Sequence, residues 1–227
     1  MAEVIVALDM VAGEEALALV ARLPGLRWVK VGSTLFVGAG RELVRELKAR
    51  GLRVFLDLKW HDIPHQVAGA VTAATVAGID LATVHALGGR AMMRAAAEAA
   101  GDALRVVAVT MLTSHAAEDY ADLAGRGATV DPAGEVARLA RMALAAGLGG
   151  VVVSAAEAAV AKSELGSDAW IVVPGIRLPG APTDDQRRTA DPQSAVMAGA
   201  THLVVGRPIS RADDPDRVYQ AICEAAS

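Results

Sequence analysis

The stretch Val54-Phe55-Leu56-Asp57-Leu58-Lys59 is a short, mostly apolar run, and a segment with helical spacing follows it from Pro64 to Ala77. Short apolar runs bounded by polar residues are typical of buried strands, and proline is well accepted in the first turn of a helix. The stretch therefore predicts one strand followed by one helix, and the same alternation recurs along the whole 227-residue chain.

Eight strand–helix units follow from this alternation. The predicted strands are Val4–Asp9, Arg27–Val31, Val54–Lys59, Leu81–Val84, Val106–Thr110, Gly150–Ser154, Trp170–Val173 and His202–Gly206. The predicted helices are Glu14–Leu23, Gly40–Arg50, Pro64–Ala77, Gly89–Ala100, Pro132–Ala146, Ala156–Glu164, Asp191–Ala198 and Pro215–Ala225.

Units of this kind without a long linker predict an α/β fold, a closed (β/α)₈ TIM barrel that forms a single domain over residues 1–227. An open, doubly wound sheet is the alternative. That fold normally carries a glycine-rich fingerprint after its first strand, where this chain has Asp9-Met10-Val11-Ala12-Gly13. The closed barrel is therefore the predicted fold.

The composition of the chain indicates which binding partners and which cellular location to expect. A net charge of −4 and an aromatic content of 3% offer neither the basic surface nor the stacking residues that nucleic-acid polymers require. Cys223 is the only cysteine, and the start Met1-Ala2-Glu3 lacks the basic region of a signal peptide. The longest uncharged stretch, between Asp62 and Asp80, is too polar for a membrane span. We expect a cytoplasmic protein without a membrane segment or a nucleic-acid partner.

Polar residues cluster at the carboxyl ends of the predicted strands, where the active sites of such barrels lie. Because residues two apart on a strand point the same way, Asp57 and Lys59 are expected to share a face and to look into the barrel mouth. Lys30, near the end of the neighbouring strand, would lie beside them, and Asp62 would add a second negative charge. These four residues are the candidate catalytic group, and a structural ion-pair network is the alternative.

The loops after strands seven and eight carry a candidate phosphate site. Barrel enzymes often bind phosphate there, and this chain places Arg177 after the seventh strand and Gly206-Arg207 at the end of the eighth. Arginine offers a planar fork of donors to phosphate oxygens, and glycine lets a backbone N–H approach closely. The alternative is that both arginines are solvated surface residues.

The segment Leu178–Ala190 is longer than most connections in the chain and lacks apolar periodicity. We interpret it as a lid that closes over the site. An ordinary surface loop is the alternative interpretation.

His61 and His65 invite a metal interpretation because they lie four residues apart. Pro64 between them breaks any shared helical face, and no third ligand is evident in the sequence. We therefore expect no bound metal.

Five motifs lie at the ends of predicted strands. They are Val29-Lys30-Val31-Gly32, Asp57-Leu58-Lys59-Trp60-His61-Asp62-Ile63-Pro64, Met111-Leu112-Thr113-Ser114, Pro174-Gly175-Ile176-Arg177 and Val205-Gly206-Arg207-Pro208-Ile209. In this order the set resembles the signature of the orotidine 5′-phosphate decarboxylase family, and the resemblance covers essentially the whole chain.

The resemblance implies decarboxylation of orotidine 5′-monophosphate to UMP, the last step of de novo pyrimidine synthesis, without a metal or an organic cofactor. It implies that Lys59 donates a proton to the pyrimidine C6 carbon and that Asp57 lies against the substrate carboxylate. Lys30 and Asp9 would hold the ribose hydroxyls. Asp62 would be contributed across the interface of a homodimer, so that the active sites are shared.

The substrate contacts that the resemblance implies come from several strand ends and loops. They are Asp9, Lys30, Asp57, Ile63, Thr113, Arg177, Gln186, Gly206 and Arg207. Gln186 belongs to the lid and would contact the substrate phosphate when the loop closes.

Two other functions share parts of this pattern. Magnesium-dependent sugar-phosphate enzymes such as hexulose-phosphate synthases are similar in carrying an Asp-x-Lys-x-x-Asp run. They place a glutamate at the position of Lys30, whose ammonium group would repel a divalent cation. A non-catalytic nucleotide-binding barrel is the second alternative, and the intact residues Asp57, Lys59 and Asp62 argue against it.

Overall fold

The computed structural model describes residues 2–125, 127, 129–178 and 189–227. Eight parallel strands pair in sequence order, and the first pairs with the last to close a barrel. The strands are β1 Glu3–Leu8, β2 Trp28–Gly32, β3 Arg53–Trp60, β4 Leu81–His85, β5 Arg105–Val109, β6 Gly150–Val152, β7 Trp170–Pro174 and β8 His202–Val205. The predicted (β/α)₈ fold is confirmed.

Helices cover the outside of the barrel. The described α-helices are α1 Gly13–Ala21, α2 Ser33–Ala49, α3 Pro64–Val76, α4 Gly89–Ala100, α5 Ala117–Leu123, α6 Pro132–Ala145, α7 Ala158–Leu165, α8 Pro192–Met197, α9 Arg207–Ser210 and α10 Pro215–Ala225. Pro64, Pro132 and Pro215 begin α3, α6 and α10, as expected from the fixed φ of proline. Within the described ranges, no helix has both the length and the apolar composition needed to cross a bilayer.

Three helices differ from the sequence prediction. Helix α2 begins at Ser33 rather than at Gly40, and Gly40 (φ 63°) interrupts the helix where the prediction places its start. The prediction omits α5 and α9, which are too short for a helical period to be visible. The hydroxyl of the buried Tyr120 in α5 donates to Glu135 of α6 at 2.8 Å. A tertiary contact, rather than local periodicity, therefore helps to hold α5 in place.

The protein has two apolar clusters, one inside the barrel and one between the sheet and the helices. Alternate residues on each strand face opposite sides of the sheet. Those that face inward form the interior cluster, which consists of Ile5, Ala7, Trp28, Phe55, Leu81, Val107, Val172 and Val204. Their strand neighbours, such as Val6 and Val29, belong to a second cluster with helix residues such as Leu43 and Leu139. The barrel is therefore filled by side chains, and the helices pack on its outer face.

Aromatic rings close the amino-terminal end of the barrel. Trp28 and Trp170 meet edge to face with ring centroids 6.0 Å apart, and His202 lies 4.1 Å from Trp170. The guanidinium groups of Arg53 and Arg105 lie over the two tryptophan rings at 5.5 and 5.1 Å. Cation–π contacts contribute about 0.5–1 kcal/mol each at exposed sites. This end of the barrel is therefore a packed layer that stabilises the fold.

We predict that Gly150→Ala destabilises the barrel. Gly150 pairs with Trp170, and a Cβ atom on Gly150 would lie 2.1 Å from the Trp170 carbonyl oxygen. The Cβ atom is attached directly to the β6 backbone and the oxygen belongs to the β7 backbone, so the two strands must move apart. We expect the free energy of unfolding to fall by about 1–3 kcal/mol in urea titrations.

The matched control for this substitution is Gly69→Ala. Gly69 lies at an exposed position in α3, where an added Cβ atom meets nothing within 4 Å. The same change should raise the free energy of unfolding there by about 0.5–1 kcal/mol, because alanine favours helix. A Gly150→Ala protein as stable as the wild type would contradict the tight β6–β7 approach.

A second prediction concerns the pH dependence of stability. Burial, and then the charges of Arg53 and Arg105, lower the pKa of His202 from 6.5 to about 4. The unfolded chain therefore binds a proton first as the pH falls, so stability present above pH 6.5 is lost towards pH 4. This loss amounts to about 3 kcal/mol. We expect His202→Phe to reduce the slope of unfolding free energy against pH by about one proton between pH 6 and 4.5.

The wild type and His202→Phe must be compared by their slopes of unfolding free energy against pH, because His85 titrates in the same pH range. Burial, and then the neighbouring His61, lower the pKa of His85 to about 4 as well. His85 is present in both proteins and contributes equally to both curves. Identical pH dependence in the wild type and in His202→Phe would contradict the assignment.

Candidate active site

A cavity of about 390 Å³ opens at the carboxyl ends of the strands. Its polar and charged lining residues are Asp9, Lys30, Asp57, Lys59, Thr113, Ser114, Arg177 and Arg207. A larger cavity of about 500 Å³ lies at the opposite end beside Trp28 and Trp170. We take the smaller one as the candidate site because it contains the carboxylate–lysine cluster.

The strands bring these charges together through their two-residue period. On β2, Lys30 follows Trp28 on the inward-facing side, and on β3, Asp57 follows Phe55 in the same way. The register pairs Lys30 with Phe55, so the two strands run side by side up to the mouth. Each inward row therefore changes from apolar inside the barrel to charged at its open end.

Four charged side chains form one network at the mouth. Lys30 Nζ lies 2.7 Å from Asp9 Oδ1 and 3.9 Å from Asp57 Oδ2. Lys59 Nζ lies 2.8 Å from the same Asp57 Oδ2. Lys30 is only 9% exposed, so its charge is largely withdrawn from water. The structure thus brings together Lys30, Asp57 and Lys59, in alternating sign, with Asp9 at one end.

Asp57 and Lys59 share the inward face of β3, as the two-residue period predicts, whereas Leu58 lies on the outer face with Leu56 and Trp60. The strand is nevertheless irregular, because the β3–β4 register shifts between Leu56 and Trp60. Lys59 has φ of 51°, the only positive φ outside glycine in the described part of the chain. Such a conformation costs about 1–2 kcal/mol for a residue with a side chain. The bulge therefore accompanies the predicted alternation, and Lys59 Nζ contacts Asp57 from a left-handed backbone.

Thr83 is a site residue that the sequence analysis overlooks. Its hydroxyl donates to Asp57 Oδ1 at 3.0 Å, and its oxygen accepts the backbone N–H of Lys59 at 2.9 Å. Thr83 is fully buried on β4. A usable signal exists, since Thr83 follows Leu81 by two residues and is therefore an inward-facing polar position beside β3.

The opposite side of the cavity carries the arginines. Arg177 is 7% exposed and donates from Nη1 to the carbonyl of Ile176 at 2.9 Å, which excludes the solvated-surface alternative for this residue. Arg207 lines the same cavity next to Gly206. A Cβ atom on Gly206 would lie 3.2 Å from Asp9 Oδ2, so glycine keeps this wall open. Arg177, Arg207 and the backbone of Gly206 therefore line the same side of the cavity.

Two of the sequence-derived candidates, Asp62 and Ile63, do not line the part of this cavity that the structure describes. Asp62 is exposed, and its Oδ1 accepts the backbone N–H of Ile63 at 2.6 Å. Ile63 is 63% exposed. Gln186 lies outside the described residues, as do positions 179–188 of the lid predicted over Leu178–Ala190. A β-bridge joins Ile176, two residues before that segment, to Ala190 at its end.

The histidines near the site pack against each other. His61 and His85 stack with ring centroids 5.6 Å apart and an interplanar angle of 19°. His85 Nδ1 accepts the backbone N–H of Leu87 at 3.3 Å, and the low pKa of His85, about 4, keeps it neutral near pH 7. In the parts of the chain described, no group of three or more potential ligands could hold a metal ion. His61 therefore has a packing partner in His85.

Comparisons with known proteins identify the family of this chain. The family model described as "Orotidine 5'-phosphate decarboxylase / HUMPS family" matches residues 2–222. The chain is similar to orotidine 5′-phosphate decarboxylases from Chromobacterium violaceum, with 49% identity over 96% of this chain and 89% of the relative, and Halorhodospira halophila, with 50% identity over 96% and 93%.

A solved structure is similar over the full length. The crystal structure of orotidine 5′-phosphate decarboxylase from Lactobacillus acidophilus superposes with a TM-score of 0.87 at 35% identity and covers 100% of both chains. Sequence and structure therefore agree over the whole barrel. The chain belongs to the orotidine 5′-phosphate decarboxylase / HUMPS family.

Proposed function

We propose that this chain decarboxylates orotidine 5′-monophosphate to UMP, with Lys59 as the proton donor and Asp57 against the departing carboxylate. The observation that carries the proposal is the ion pair between Lys59 Nζ and Asp57 Oδ2, 2.8 Å apart, in a cavity that also receives two arginines. The relatives from C. violaceum and H. halophila carry the name of this activity. The substrate offers a phosphate to the arginines and a carboxylate to the charged network.

The charges on the two sides of the cavity suggest how the substrate lies. Arg177 and Arg207 would bind the phosphate, together with the backbone of Gly206. Lys30 and Asp9, which are hydrogen-bonded to each other at 2.7 Å, would hold the ribose hydroxyls. The remaining proposed substrate contacts are Ile63, Thr113 and Gln186. The pyrimidine would then face Asp57 and Lys59.

The proposed step breaks the bond between C6 and the carboxyl carbon. Carbon dioxide leaves, and the electron pair of that bond stays on C6. The ammonium group of Lys59 transfers a proton from Nζ to C6, which forms the C–H bond of UMP, and the neutral amine then regains a proton from water. No oxidant or reductant takes part, because the electron pair released by one bond forms the other.

Electrostatics would supply the acceleration. Two like charges about 4 Å apart at an effective dielectric constant near 20 repel by roughly 4 kcal/mol, and departure of carbon dioxide relieves this repulsion. Such relief corresponds to about three powers of ten in rate. Lys59 would contribute more, since its cation already lies where negative charge develops and little reorganisation is required.

Lys30 separates this proposal from the magnesium-dependent reaction of similar barrels. Its Nζ lies 2.7 Å from Asp9 and 3.9 Å from Asp57, so an ammonium group already stands between the carboxylates that would hold a cation. A divalent ion at this position would also face the charge of Lys59. We therefore propose a decarboxylation that needs no metal or organic cofactor.

We further propose a homodimer in which Asp62 serves the active site of the partner subunit. Asp62 is exposed and does not line the described part of its own cavity. Next to it, Ile63 is 63% exposed, so both residues are accessible to a second subunit. We place this homodimer in the cytoplasm, where a chain whose single cysteine is Cys223 needs no disulfide.

The first functional prediction is that Lys59→Ala abolishes turnover but retains nucleotide binding. In excess chelator, the wild-type protein should consume orotidine 5′-monophosphate. The loss of pyrimidine absorbance measures this turnover. The variant should lower kcat by at least about 1000-fold, because it removes both the proton and the preorganised cation. Its affinity for UMP, measured by calorimetry, should stay within about 3-fold, since the arginines remain.

Lys162→Ala is the control for removing a lysine. Lys162 lies on α7, outside the barrel, and donates to the carbonyl of Ser167 at 2.8 Å. Its kcat should equal that of the wild type. Near-normal turnover by Lys59→Ala would refute the proton-donor role, whereas a wild-type protein without turnover would refute the reaction itself.

The shared-site proposal predicts complementation between two inactive variants. Lys59→Ala and Asp62→Ala should each be inactive alone. After subunit exchange, a mixed dimer has one site with both native residues, so equal amounts should regain about a quarter of the wild-type activity. Each variant taken alone through the same exchange is the control. Without any regained activity in the mixture, Asp62 would not act across the interface.

A further inference from the structure

Thr83 lies on β4, opposite the bulge in β3. The register pairs Leu56 with Ala82 and Trp60 with Val84, so residues 57–59 of β3 lie opposite the single residue Thr83. Both ends of this three-residue arc are hydrogen-bonded to the same hydroxyl group. Lys59 donates its backbone N–H to Oγ1 at 2.9 Å, and Oγ1 donates to Asp57 Oδ1 at 3.0 Å.

The direction of these two hydrogen bonds is fixed by chemistry. A backbone N–H can only donate, so the Thr83 oxygen must accept from Lys59. The single hydroxyl proton is then available for the Asp57 carboxylate, which can only accept. Because Lys59 Nζ also contacts Asp57 Oδ2 at 2.8 Å, a closed ring runs from the Lys59 backbone through Thr83 and Asp57 to the Lys59 ammonium.

This ring holds the two groups that matter for the proposed reaction. The Asp57 carboxylate has a partner on each oxygen and cannot rotate without breaking one of them. The left-handed backbone of Lys59 (φ 51°) is a conformation that a residue with a side chain adopts only when its surroundings impose it. The hydrogen bond to Thr83 is a direct restraint on that backbone.

We propose that Thr83 is a positioning residue for the decarboxylation, acting through Asp57 and Lys59 without touching the substrate. It orients the carboxylate that faces the substrate carboxylate, and it holds the backbone from which the proton donor projects. The inference rests on the proposed function. Catalytic groups must be held within a fraction of an ångström of their productive geometry, so a hydroxyl behind them affects rate more than binding.

The test compares Thr83→Val with Thr83→Ser. Valine has nearly the shape of threonine but neither donates nor accepts, so both hydrogen bonds are lost. We expect kcat to fall by about 10- to 100-fold, while the dissociation constant for UMP, which has no carboxylate, changes less than about 3-fold. Serine keeps the hydroxyl and should restore kcat to within about 3-fold of the wild type.

Binding and rescue separate positioning from general loosening. A merely structural role would lower the fraction of folded protein, so the number of UMP-binding sites measured by calorimetry would fall together with kcat. Lost positioning lowers kcat while the number of UMP-binding sites stays the same, and Thr83→Ser restores kcat.

Thr201→Val is the matched control. Thr201 lies at the other end of the barrel, where its oxygen accepts the backbone N–H of Ile171 at 2.9 Å. This variant loses the same kind of hydrogen bond, so its melting temperature should fall while kcat stays unchanged. If Thr201→Val loses kcat as Thr83→Val does, or if Thr83→Val keeps its kcat, the positioning role is overturned.

Hydrogen exchange at the Lys59 amide distinguishes this inference from the proposed function. In the wild type the N–H is held by Thr83 and should exchange slowly, and in Thr83→Val it should exchange at least about 10-fold faster. This measurement needs no turnover. A wild-type protein inactive on orotidine 5′-monophosphate would refute the reaction, whereas unchanged exchange in Thr83→Val would refute the restraint on Lys59.

Discussion

The carboxylate of Asp57 joins three neighbouring strands of the barrel through its contacts with Lys30, Thr83 and Lys59. Its side chain is only 13% exposed, and a buried charge is tolerated only when its partners replace the water it has lost. Removal of one partner therefore affects the others. The register of β2, β3 and β4 must be kept for all of these contacts to coexist, so the geometry of this carboxylate depends on the closed sheet beneath it.

The two ends of the barrel have opposite characters. At the amino-terminal end, Trp28 and Trp170 pack with His202 and make the layer that stabilises the fold. At the open end, like and unlike charges are crowded together and Lys59 takes a left-handed conformation. Strain is stored at functional sites when the surrounding structure over-determines it. The aromatic layer at the amino-terminal end and the apolar interior stabilise the barrel. This stability offsets the cost of the crowded charges and of the left-handed Lys59 at the open end.

The sequence predicts the architecture better than the fine geometry of the site. Alternating apolar runs and helical segments indicate the barrel, and strand-end positions indicate Lys30, Asp57, Arg177 and Arg207, because both follow from periodicity and topology. The left-handed Lys59 has no such signal. A bulge arises when three residues of one strand meet one residue of the next, which depends on a partner strand more than twenty residues away along the chain. Asp62 lies exposed, outside the described lining of the cavity, although its spacing in the motif suggests a place in the site.

Barrel closure has a consequence for how the protein is made. The sheet is complete only when β8 pairs with β1, which joins Ile5 to Val204. Contacts between residues so far apart in sequence form late, because a long loop must close before they contribute. During synthesis, β1 and the latest strand to emerge therefore present unpaired edges, which invite pairing with other chains. The pairing of β8 with β1 removes both edges at once, so protection from aggregation through these edges arrives only when β8 joins the sheet.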